Sequence, residues 1–167
     1  MIEFQELKSI FPAQVLMSLS ENLDSEKLWE VRMRAGRPVT VWYAGKGYFL
    51  TRSGLSDDAG AAILCGAEDI RSCVIGASEH SVYAYNDDIN RGFITLQGGI
   101  RLGICGEVVT DDGKILTVKN YSSINIRFPH EIPGISKCII PGIVSNLQNI
   151  LILSPPGGGK TTLLRDL

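Results

Sequence analysis

Apolar residues in the first 28 positions recur at helical spacing. Phe4, Leu7 and Ile10 repeat at three, then Val15, Leu16, Leu19 and Leu23 at one, three and four. Pro12 has no N–H and a fixed φ, so it suits the first turn of a helix and not its interior. The pattern predicts two short helices meeting near residues 9–12, built for packing or for a partner. From Trp29 the period changes to two. Trp29, Val31 and Met33 alternate with Glu30, Arg32 and Arg34, and Val39, Val41 and Tyr43 alternate with Thr40, Trp42 and Ala44. Tyr48, Phe49 and Leu50 follow a Gly45-Lys46-Gly47 tip. These are antiparallel strands, linked by residues 35–38 and by that tip.

Residues 56–77 return to helical spacing through Ile63, Leu64, Ile70, Cys73 and Val74, with Glu68 and Asp69 where a helix N-terminus favours acids. Residues 83–91 predict one or two helical turns ended by Gly92. The glycine-dense stretch 92–109 reads as strand. Its Gly98, Gly99, Gly103 and Gly106 do not fit a GxGxxG loop and no helical pattern follows them, so they predict bends or bulges in a twisted sheet. Asp111-Asp112-Gly113 is a hairpin signal, with a return strand around residues 115–118 and another over 123–127. The fold class is α/β in composition: an α+β N-terminal domain over residues 1–140, with an antiparallel sheet and flanking helices. Pro129, Pro133-Gly134 and Pro141-Gly142 punctuate the chain, and residues 141–167 read as the start of a second domain.

Composition narrows the function classes. The 167 residues are 44% hydrophobic and 20% charged, which excludes a disordered or fibrous chain. Sixteen basic against 18 acidic residues give a net charge of -2, and the pI is near 5.7. That balance argues against broad nucleic-acid binding, although Arg32, Arg34 and Arg37 could hold an anion or an acidic partner. No apolar run approaches the roughly 18 residues of a spanning helix, and the start carries acids where a secretory signal needs basic residues. The expectation is a cytoplasmic protein. Cys65, Cys73, Cys105 and Cys138 form no CxxC pair and only His80 and His130 accompany them. Four buried or half-buried reduced thiols are expected, and no Cys/His metal site.

One segment carries chemistry. Ile150, Leu151, Ile152 and Leu153 read as a buried parallel strand that runs into Ser154-Pro155-Pro156-Gly157-Gly158-Gly159-Lys160-Thr161-Thr162 and then into a helix. Strand, glycine loop and helix are the order a P-loop requires. The glycines let backbone N–H groups turn inward around a phosphate. Lys160 supplies a charge for the β and γ phosphates, Thr161 a hydroxyl for Mg²⁺, and Thr162 a donor to the α-phosphate. Ser154 stands where the pattern wants its first glycine. No second apolar strand ending in an acid follows, so no catalytic residue is assigned. The expectation is the truncated beginning of a RecA-like P-loop core, which by itself binds Mg-ATP weakly or not at all and does not hydrolyse it.

Five ordered motifs carry a resemblance across nearly the whole chain: residues 30–38 (EVRMRAGRP), 81–85 (SVYAY), 92–106 (GFITLQGGIRLGICG), 122–127 (SSINIR) and 154–166 (SPPGGGKTTLLRD). Together they resemble the stage III sporulation protein AA family of endospore-forming bacteria. The resemblance implies an AAA-type ATPase related to secretion traffic ATPases, using ATP and Mg²⁺ and assembling as a hexameric ring. It implies a motor acting from the mother-cell cytosol on membrane channel proteins between mother cell and forespore. The alternatives are a nucleic-acid remodelling ATPase, with Arg32, Arg34, Arg37 and Arg101 as its basic face, and a stand-alone interaction domain.

Overall fold

The computed structural model describes residues 4–130, 134–145, 149–155 and 158–167. The chain divides into two compact units, Met1–Pro129 and His130–Leu167.

The first unit opens with a 3-10 turn (Phe4–Leu7) and helix α1 (Ala13–Asn22), with Pro12 at the N-cap, where its missing N–H costs no intrahelical bond. Strands β1 (Leu28–Arg34), β2 (Arg37–Pro38), β3 (Thr40–Tyr43), β4 (Lys46–Thr51), β5 (Gly54–Ser56) and β6 (Leu64–Cys65) follow. Helices α2 (Ala67–Ala77) and α3 (Asn86–Asn90) precede β7 (Phe93–Thr95), β8 (Arg101–Asp111) and β9 (Lys114–Arg127). Seven strands form one sheet in the order β5-β4-β3-β1-β9-β8-β7, with every pairing antiparallel, and β2 pairs β6 in a small second sheet.

Register decides which face is which. Val41, Val31, Ile126, Leu102 and Ile94 lie side by side across five strands, and Met33, Ile124 and Ile104 form the next row. All are buried, in one core with Val15 and Leu19 of α1, Ile70, Cys73 and Val74 of α2, and Ile89 of α3. Because side chains alternate along a strand, the intervening residues occupy the opposite face, which carries the arginines.

Several local expectations are corrected. Trp29 is 48% exposed although it alternates with Val31 and Met33, because a register shift between Leu28 and Glu30 breaks the alternation and Leu28 takes the core position. The β3–β4 turn is Ala44-Gly45, both with positive φ, so Lys46 and Gly47 belong to β4. Of the 56–77 stretch only residues 67–77 are α-helical, with a single 3-10 turn at Ala59–Ala61. The Ile63 N–H donates to Leu50 O and Ile63 O accepts from Val39 N, each at 2.8 Å, so that backbone is committed to its sheet neighbours. The helix starts where the Asp69 carboxylate accepts from Gly66 N–H at 2.7 Å. The two strands expected over 115–118 and 123–127 are one, β9, which bends at Asn120 (φ 48) opposite a register shift at residues 105–107 and stays paired. Gly98 and Gly99 have positive φ in a turn between β7 and β8, and Asp112 and Gly113 (φ 44 and 74) close the β8–β9 hairpin.

In the second unit, a 3-10 turn (Ile135–Cys138), helix α4 (Ile140–Ser145) and helix α5 (Lys160–Asp166) are formed. The strand expected at residues 150–153 is not. Leu151 and Leu153 are each 81% exposed, and among the described residues nothing pairs with this backbone. A lone strand leaves its N–H and C=O groups to water and gains no ladder to offset its ordering.

Candidate functional site

Ser154, Pro155, Gly158, Gly159 and Lys160 form a tight loop entering α5, while Pro156 and Gly157 lie outside the described residues. Gly159 takes φ 80, a conformation that L side chains rarely adopt, and the Leu163 N–H donates to its carbonyl at 2.9 Å. The Gly158 N–H donates to Pro155 O at 3.1 Å. A Cβ on Gly158 would lie 2.6 Å from Ser154 Oγ, so a side chain there would have to displace that of Ser154. The Lys160 ammonium points into this loop. Its Nζ donates to Ser154 O at 2.7 Å, to Ser154 Oγ at 3.1 Å and to Pro155 O at 3.1 Å. Ser154 thus gives the lysine a hydroxyl acceptor that glycine lacks. Thr161 is exposed and Thr162 half-buried at the start of α5.

Beyond the loop, Asp166 accepts from Gly134 N at 2.8 Å, Ser136 N at 2.7 Å and Ser136 Oγ at 2.7 Å. Those hydrogen bonds, from Ser136 first and Gly134 after it, hold its carboxyl below its ordinary value of 3.8.

The first unit holds a second cluster of charge. Arg32 and Arg34 on β1, Arg101 on β8 and Arg127 on β9 line a cavity of about 490 Å³ on the open sheet face, together with Phe93, Ser123 and Asn125. Arg101 and Arg127 are directly opposed across the β8–β9 ladder, an unfavourable like-charge pair. Glu30, one strand further on, accepts from Arg32 Nε and lies 3.4 Å from Arg127 Nε. Arg101 stacks over the Phe93 ring at 5.6 Å. Such a face can hold an anion. Arg37 does not join it. It lies on β2 opposite Cys65 and lines none of that cavity. Arg127 and Phe93 were not legible as partners in the sequence, because only the register of β1, β9, β8 and β7 brings them together.

Two thiols match expectation and two do not. Cys65 and Cys73 are buried, and burial pushes their thiols up to about 11 and about 12. Cys105 and Cys138 are exposed, because one sits on the open sheet face and the other ends a surface 3-10 turn. No group of His, Cys, Asp and Glu among the described residues is arranged to hold a metal ion, and no helix among them is long and apolar enough to cross a membrane.

The class is an α+β protein with a mostly antiparallel sheet, followed by a glycine–lysine loop at a helix start. The family model described as "Sporulation stage III, protein AA" matches residues 3–167, and the chain belongs to that family. Stage III sporulation protein AA of Bacillus subtilis (strain 168) is 32% identical over 165 residues, covering 97% of this chain and 50% of the relative. The chain therefore spans half the length of that curated relative. Among solved structures, the X-ray structure of the Legionella pneumophila ATPase DotB aligns with a TM-score of 0.44 at 13% identity, over 85% of this chain and 37% of that one.

Proposed function

We propose that the chain is the N-terminal domain and ATP-binding loop of an AAA-type ATPase of the sporulation machinery, one that powers a channel between mother cell and forespore. The observation that carries this reading is the Lys160 ammonium turned into a glycine loop in which Gly158 closes against the Ser154 side chain. The donor set fits a triphosphate. Lys160, the Gly159 N–H and the Thr161 and Thr162 hydroxyls would hold the phosphates, joined by the Gly158 N–H once it leaves Pro155 O, and Thr161 would ligate Mg²⁺. Bound Mg-ATP supplies a phosphoanhydride bond whose hydrolysis can drive mechanical work. Pro156 and Gly157 belong to the same proposed loop. A phosphate must first displace the three loop oxygens that Lys160 already contacts, so binding is expected to be weak. Assembly as a hexameric ring and action on membrane channel proteins from the mother-cell cytosol are parts of the same proposal.

Titration calorimetry with Mg-ATP tests it. Saturable, magnesium-dependent binding is expected, weakened roughly tenfold or more in Lys160→Ala, the worth of about 1.5–3 kcal/mol for a charged hydrogen bond. Binding unaffected by that substitution would sink the reading. The arginine face favours one alternative, a nucleic-acid remodelling ATPase. Its sign would be a single-stranded oligonucleotide bound with an affinity that falls steeply with salt and is lost in Arg34→Ala/Arg101→Ala.

A further inference from the structure

Asp166 occupies the last turn of α5, where a carboxylate meets the negative end of the helix dipole and is disfavoured. Its position is explained by what it touches. Gly134 N and Ser136 N are first-turn donors of the 3-10 turn Ile135–Cys138, groups with no partner inside that turn. The Asp166 carboxylate accepts from both, and from Ser136 Oγ, while Asp166 O accepts from the same hydroxyl at 2.9 Å. Ser136 is 1% exposed, so these bonds are shielded from water on one side. Asp166 therefore caps a turn 30 residues upstream in the chain.

The consequence concerns the loop between the two ends. Helix α5 has seven residues, too few to hold its shape in water without tertiary support. Lys160 is its first residue, and Gly159 precedes it. Fixing the far end of α5 is thus what fixes the axis on which Lys160 and the Gly158–Gly159 backbone sit. We infer that Asp166 is a positioning residue for the glycine–lysine loop, acting through its clasp on Gly134 and Ser136. The inference rests on the nucleotide-binding reading for its purpose, but the clasp itself is testable without nucleotide.

The test uses ¹H–¹⁵N spectra and amide hydrogen exchange of the chain, first without nucleotide and then with Mg-ATP. Asp166→Asn is compared with Ser136→Ala and with Arg165→Ala, a change at an exposed neighbour on the same helix. In Asp166→Asn the amide signals of Gly158, Gly159 and Lys160 should move, and exchange of the α5 amides should quicken by about tenfold or more. Ser136→Ala, which keeps the backbone donor, should give a smaller effect in the same residues, and Arg165→Ala none. Mg-ATP affinity should fall several-fold in Asp166→Asn. Loop and α5 amides unmoved in Asp166→Asn overturn the inference whatever ATP does. So does an equal response in Arg165→Ala. Failure of the unaltered chain to bind Mg-ATP would remove the nucleotide reading alone, with the nucleotide-free amides still deciding whether Asp166 positions the loop.

Discussion

At the scale of single residues, close approach sets the tightest constraint in the first unit. Gly76 in α2 lies so near the first helical segments that a Cβ there would sit 1.7 Å from Ser9 O. The obstacle is backbone, which cannot rotate aside as a side chain can. Gly76→Ala is therefore expected to destabilise the protein by about 3 kcal/mol, at the upper end of ordinary overpacking. Urea unfolding checks this, and a loss below about 0.5 kcal/mol, the scatter of neutral surface changes, would show that the helix shifts freely. Nothing in the sequence marks Gly76 as different from Gly60 or Gly66. Its role comes from a neighbour more than 60 positions away. Asp166 is similar, since its partner at Ser136 is invisible to any local pattern.

At the scale of elements, the local rules held where the determinants are local. The helix at Ala13–Asn22, the period-two runs of β1 and β3 and the Asp111-Asp112-Gly113 turn each follow from residues within one turn or one hairpin. They fell short where a neighbour intervened. Ile63 and Leu64 fit a helical apolar stripe, yet their backbone is extended because Val39 and Leu50 take its hydrogen bonds. Trp29 fits the buried alternation, yet a bulge turns it outward. The Ile and Leu run at 150–153 has the composition of a central strand but no strand beside it among the described residues. Composition makes a segment suitable for a buried strand, and only a partner backbone makes it one.

For the whole molecule, the core of the first unit is self-contained. Its buried apolar residues run from Phe4 to Phe128 and include side chains of α1, α2, α3 and seven of its strands. A chain shortened to end at Pro129 is accordingly expected to unfold cooperatively, with a midpoint within a few degrees of the main transition of the 167-residue chain. Circular dichroism during heating measures both. A gradual, non-cooperative loss of signal in the shortened chain would show that residues 130–167 contribute to that core.

The sequence by itself determined the helix at Ala13–Asn22, the period-two runs of β1 and β3, the Asp111-Asp112-Gly113 turn and the Ser154–Thr162 motif. All of these depend on side chains and backbone preferences within a few residues. It also carried the family membership, through motifs spread along the chain. Tertiary structure decided the rest. Strand order placed Arg101 and Arg127 opposite one another with Glu30 beside them, and left Arg37 apart. Folding of the second unit brought Asp166 onto Ser136 and turned Lys160 into its own loop. Each of these outcomes joins groups on different elements, and hydrogen-bond register and close packing select such pairings among many that the sequence alone permits.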